Sequence, residues 1–164
     1  MSQKIMGMQR NVSMGETAVD GLLAGLVGGA AMALFLAAAG WLAGAPPAAT
    51  LAYFDPAQPG RWLNGLLAHM AVAAIYGLGF GLLLGVVGRI RPSLAQRTWL
   101  WGMGYGLVLW LLGLGMVLTA VGAPLAQIPA WEFAMAHLLY GLMLGLGLGK
   151  SAYGKDKPMS KMGN

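Results

Sequence analysis

The chain has no cysteine. Disulfides, thiol chemistry and cysteine-held metal sites are therefore excluded. Charge is also scarce. Of 164 residues, 9% are Asp, Glu, Lys or Arg, against about a quarter in a soluble domain. The usual enzyme signatures are missing: there is no HExxH, no P-loop, no GxSxG with a triad, and no pair of carboxylates inside an apolar run. The sequence therefore predicts no enzyme and no metal centre. It also lacks a repeated mid-span charge of the kind a coupled transporter needs.

Apolar residues fill the space that charge leaves. They make up 58% of the chain, and the mean hydropathy is +0.67. Between Gly21 and Gly88 the charged residues are Asp55 and Arg61, both in one polar break. Uncharged runs of roughly 20 residues belong to helices that satisfy their own backbone in lipid. Four such spans are predicted: 17–41, 66–88, 98–122 and 131–149. At a rise of ~1.5 Å per residue each can cross a hydrocarbon layer of ~30 Å. The expected fold is all-α, a polytopic membrane protein of four transmembrane helices. Residues 1–16 and 150–164 are expected as tails around the 17–149 domain. The first 15 residues are too polar for the core of a cleavable signal, so the first span is expected to serve as an uncleaved one.

The breaks between spans differ in character. Residues 44–62 hold four prolines, and Tyr53, Phe54 and Trp62 there suit a short interfacial helix. The 89–97 break is short and basic, and the 122–129 break has two prolines and no charge. Nine of the ten basic residues fall in the two tails and the second break: Lys4, Arg10, Arg89, Arg91, Arg97, Lys150, Lys155, Lys157 and Lys161. Arg61 is the exception. Basic short loops stay cytoplasmic, so both termini are predicted to lie on the cytoplasmic side of the inner membrane of a bacterium or archaeon. The formal net charge of +5 thus reads as topology and anionic-lipid contact, not as nucleic-acid binding. Trp41, Trp62, Trp99, Trp101 and Trp131 sit near span ends, as an aromatic belt would place them. Trp110 lies deep in the third span, where it can pack against a neighbouring helix, a lipid tail or a pigment ring, ordinary packing being the expectation.

Glycine is abundant, at 27 residues, and many fall four apart. The runs are Gly21, Gly25, Gly29 in the first span; Gly77, Gly81, Gly85 in the second; Gly102, Gly106 in the third; and Gly141, Gly145, Gly149 in the fourth. Residues four apart share a helix face, and small-residue faces let backbones approach closely. The sequence leaves open whether they pack within the chain, against copies or against other subunits. There is also an echo. Residues 76–85 match 140–149 at seven of ten positions, and GLV recurs at 25–27 and 106–108. Two helical hairpins in parallel repeat would produce this pattern.

The two histidines, His69 and His137, both lie within spans. Each heads a small-residue run that a flat ring could lie against. A neutral imidazole can ligate haem iron or the magnesium of a chlorophyll-type pigment, so these two are the candidate cofactor ligands. Interhelical hydrogen bonding is the competing role. Asp20, Glu16 and Glu132 stand at helix starts and suit the positive dipole ends there.

The segments AHLLYGLMLG at 136–145 and GLLAGLVGGAAMALF at 21–35 resemble small four-helix membrane proteins of the YagU-like families. The resemblance implies a four-helix fold and carries no catalytic pattern. Together these features favour a non-catalytic accessory or assembly subunit of a larger membrane complex, respiratory or photosynthetic, with other membrane subunits and lipids as partners. A small oligomeric transporter or channel is the alternative. A haem- or chlorophyll-type electron-transfer subunit is the third reading.

Overall fold

The computed structural model describes residues 13–57, 60–91, 97–119 and 124–154. Its elements are α1 (Met14–Leu42), α2 (Pro47–Ala52), α3 (Trp62–Ile90), α4 (Thr98–Thr119), a 3-10 turn (Pro124–Gln127) and α5 (Ala130–Gly154). Four of them, α1, α3, α4 and α5, are long and apolar enough to cross a membrane. The fold is all-α and multi-pass. The helices outrun the predicted spans at most ends: α1 starts at Met14 and α5 reaches Gly154. The 44–62 break does carry a short helix, α2, with Tyr53 and Phe54 just after it and Trp62 at the start of α3. Lys4, Arg10, Lys155, Lys157 and Lys161 lie outside the described residues.

Local chemistry explains the boundaries. Ser13 caps α1 in a reciprocal box: its Oγ accepts from the Glu16 N–H at 3.1 Å, and its own N–H donates to Glu16 Oε2 at 2.9 Å. At the far end Gly44 takes φ +90°. The Gly44 N–H then reaches the Trp41 carbonyl at 3.0 Å, and the Ala45 N–H reaches Gly40 at 2.8 Å. This paired closure needs a left-handed residue, which glycine supplies. After α2 the Asp55 carboxylate accepts from the Ala57 N–H at 2.9 Å and from the Arg61 N–H at 2.7 Å. It thereby ties the turn to the start of α3.

In lipid, apolar burial between helices supplies little drive, so close packing and hydrogen bonds must hold them. The helices form two antiparallel hairpins, α1 with α3 and α4 with α5. Both close in the same way. A Cβ on Gly77 would strike the Gly21 carbonyl oxygen and the Gly25 Cα. One on Gly141 would strike the Gly102 carbonyl and the Gly106 nitrogen. Gly81 faces the Thr17 carbonyl, as Gly145 faces that of Thr98. Gly85 meets the Thr17 hydroxyl, as Gly149 meets that of Thr98. Gly25 meets the Ala73 carbonyl, as Gly106 meets that of His137. Except at Gly85 and Gly149, which face hydroxyls, each of these glycine Cα–H groups is thus aimed at a carbonyl across the interface, a contact worth roughly 0.5–1 kcal/mol. The echo in the sequence is a repeat of contacts, with Thr17, Gly21 and Gly25 standing where Thr98, Gly102 and Gly106 stand.

The hairpins then join unequally. α1 packs broadly on α5, whereas α3 and α4 touch little. In the repeat, the α1–α5 and α3–α4 interfaces occupy equivalent places, and their side chains explain the difference. At the first, Gly28 receives the Tyr140 ring and Gly147 meets Ala24. The equivalent positions at the second are Leu109 with Tyr76, and Leu83 with Tyr105. Small residues let α1 and α5 close, and large ones hold α3 and α4 apart. The spatial order is α3–α1–α5–α4, opened on the α3–α4 side.

Two measurements check this account. Gly77→Ala should destabilise the protein by about 1–3 kcal/mol, the usual cost of overpacking, because its methyl meets backbone that cannot turn aside. Gly104→Ala should be nearly neutral, since nothing lies within 4 Å of that site. Reversible unfolding in detergent distinguishes them. The second check uses pH. The two backbone N–H donors hold the Asp55 carboxyl below its ordinary value of 3.8. A depressed acid stabilises the fold above its unfolded-state value and loses that contribution as pH falls through the folded one. Proteolysis of the α2–α3 connection should therefore rise on acidification below about 4 in the wild type. In Asp55→Asn it should be higher at neutral pH and flat across that range.

Candidate functional site

The splay of α3 from α4 leaves a cleft of about 300 Å³. Its back wall is Met32 of α1, Ala73 of α3, and His137 and Tyr140 of α5. Phe54 from the turn after α2, and Leu125 from the 3-10 turn, line the end nearest α2. The half-exposed Val72 and Leu112 form its lips on α3 and α4. The opposite end stops at Tyr105. Its hydroxyl donates to the Tyr76 carbonyl at 3.0 Å, and its ring lies 4.9 Å from that of Phe80. This is the contact that ties α4 to α3. On the α2 side of it the two helices part.

Both histidines line this one cleft, although 68 positions separate them in sequence. Each is 9% exposed. His69 Nε2 lies 3.0 Å from the Gly29 carbonyl oxygen, so this nitrogen carries the proton and donates from α3 to α1. His137 Nδ1 donates to the Phe133 carbonyl one turn earlier in α5, at 2.8 Å. A phenyl ring backs each imidazole: Phe54 at 4.8 Å from His69, and Phe133 at 4.4 Å, edge-on, from His137. Tyr140 is 2% exposed, and its hydroxyl donates to the Ala73 carbonyl at 2.7 Å. It bonds α5 to α3 across the bundle.

The glycine runs below the histidines do not cradle a ring. The backbones of α1 and α4 fill them, because Gly77 and Gly81 meet Gly21 and Gly25, and Gly141 and Gly145 meet Gly102, Gly106 and Thr98. Gly29 faces Ala73, Met70 and His69. The steric argument for a flat cofactor on those faces therefore fails, whereas the imidazoles do face a cavity. Trp110 packs against the core, and its indole nitrogen is buried without a hydrogen-bond partner among the described residues. Glu16 caps α1, and Glu132 lies in the first turn of α5. Among the described residues no group of three or more His, Cys, Asp or Glu could hold a metal ion.

Sequence reasoning overlooked Tyr105, Phe133 and Leu125, and assigned Phe54 to an interfacial helix and not to the His69 side of the cleft. A signal for Tyr105 was present, since the repeat makes it the equivalent of Ala24, and such a swap of small for large changes an interface. Phe54 and Leu125 come from breaks whose folding no periodicity fixes. No family model matches the chain, nor does any curated protein or solved structure. The site must be read from its own geometry.

Tyr105→Ala should widen the cleft. Spin labels at Ile75 and Leu111, both exposed, should report a longer α3–α4 distance in that variant. A pair at Val27 and Leu146, on α1 and α5, should keep its spacing.

Proposed function

We propose that the protein is a non-catalytic accessory subunit that packs into a larger membrane complex, with both ends cytoplasmic, in a bacterial or archaeal cytoplasmic membrane. One observation carries this reading: α4 is enclosed on one side only. Its spanning window is 17% buried, against 44% for α1 and α5. On α4, Gly104 and Gly115 have open space where a side chain would stand, and Leu111 and Leu112 are exposed. The glycine runs on all four helices are spent inside the chain, and among the described spans α4 is the least buried, with α3 next at 28%. Almost all the described chain is span, end cap or short connection, which leaves little that could act alone.

The topology rests on the basic residues described above. Membership of the YagU-like families rests on the two quoted segments, and a bioenergetic parent complex rests on the two buried imidazoles. The small carrier finds less support, because the charged residues among those described sit near the helix ends or in connections and none crosses the bundle.

A photo-crosslinking amino acid at Gly104, introduced in the native membrane, tests the proposal. The expected product is a discrete adduct with a different membrane polypeptide, identified by mass spectrometry and retained through gentle solubilisation. Adducts with a second copy of the chain would favour the oligomeric carrier. Adducts with lipid alone would sink the accessory-subunit reading.

A further inference from the structure

The hydrogen bonds of the two histidines fix more than their orientation. A backbone carbonyl accepts and cannot donate, so the proton of His69 sits on Nε2 and that of His137 on Nδ1. In each neutral ring the other nitrogen carries a lone pair. His69 Nδ1 and His137 Nε2 make no hydrogen bond among the described residues, and both rings line the cleft. The Tyr140 hydroxyl proton is already given to Ala73. The imidazoles thus offer a ligand two acceptors, from two helices, in a cavity whose remaining lining is the Tyr76 phenol and apolar side chains such as Phe54, Phe133, Leu109 and Leu112.

That polarity selects a ligand. An acyl chain would leave both acceptors unpaired, and a group carrying carbonyls alone would set acceptor against acceptor. A ring with hydroxyls at two positions satisfies both nitrogens and places its faces against phenyl groups. The cleft of about 300 Å³ lies at the small end of ligand sites, which run roughly 300–1,000 Å³. It suits a single aromatic ring and is smaller than a tetrapyrrole. Its opening between Val72 and Leu112 faces the lipid, so an apolar tail can leave that way.

We infer that the cleft between α3 and α4 binds the reduced, dihydroxy form of a lipid-soluble aromatic ring, a hydroquinone with an isoprenoid tail, through His69 Nδ1 and His137 Nε2. At its two imidazoles the site discriminates redox state by counting donors: the hydroquinone brings two O–H groups and the quinone brings none, which leaves the quinone at most the Tyr76 hydroxyl. Holding the reduced form requires no electron transfer by this chain.

The test uses the full chain in lipid nanodiscs, with a short-tailed benzoquinol under anaerobic reducing conditions and the same compound as its quinone. Calorimetry should show the quinol binding at least tenfold more tightly. His137→Phe should weaken quinol binding about tenfold, the worth of one buried hydrogen bond, and leave quinone binding unchanged. Its own bond lies within α5, so folding should survive, checked by helical circular dichroism and elution volume. Leu112→Trp keeps both imidazoles and fills the cleft, and should abolish binding. Equal affinity for the two redox forms, or quinol binding indifferent to both substitutions, overturns the inference. So does a haem that binds with a His137-dependent Soret shift, which would give the lone pair to a metal instead.

Discussion

Everything in this bundle depends on backbone meeting backbone at glycine. In water, four apolar helices would be driven together by burial. In lipid that drive is largely absent, since the tails are as apolar as leucine. What remains is short-range: dispersion, which falls away within a fraction of an ångström, and weak Cα–H contacts to carbonyls. Both require approach closer than a side chain permits. The Gly21–Gly77 and Gly102–Gly141 contacts provide it, and they fix the spacing and register of each hairpin. The histidines are placed as a result. His69 can reach the Gly29 carbonyl because α1 and α3 already lie within touching distance.

The second level of organisation is a symmetry that is kept within hairpins and broken between them. Two similar halves could have closed into a bundle with equivalent interfaces. Gly28 and Gly147 allow one interface to close, and Leu109 and Leu83 keep the other apart. Tyr140 and Tyr76 occupy equivalent positions yet meet different fates. Tyr140 is buried and bonded to Ala73, whereas Tyr76 lines the cleft and is 40% exposed. The histidines are not equivalent either. His69 stands where the other half has Phe133, and His137 where the other half has Ala73. The cleft is therefore a product of the side-chain differences between the halves.

Much of the architecture was legible in the sequence. Uncharged runs located four spans, the proline-rich break announced α2, and the repeated spacing of glycine marked the packing faces. Even the faint GLV match had the correct register, since Gly25 and Gly106 are equivalent in the repeat. The partners of those faces were not legible. Spacing along one helix gives a direction and no distance to a neighbour, so packing within the chain looked the same as packing outside it. That His69 and His137 lie within spans was legible, but that they line one cleft was not. Nor were their protonated nitrogens, because these depend on which carbonyl each ring meets in three dimensions.

Each hairpin carries its own glycine lock, and this has a consequence for the order of assembly. The α1–α3 contacts lie among residues that enter the membrane before α4 is made. That pair can close during synthesis with no help from the rest of the chain. The α4–α5 pair can close in the same way, later. The Tyr140 bond to Ala73 and the seating of its ring on Gly28 then join two finished units. The cleft has no existence in either half. It appears at the last docking step, so a chain stalled before α5 would hold a well-packed hairpin and nothing for a ligand to enter.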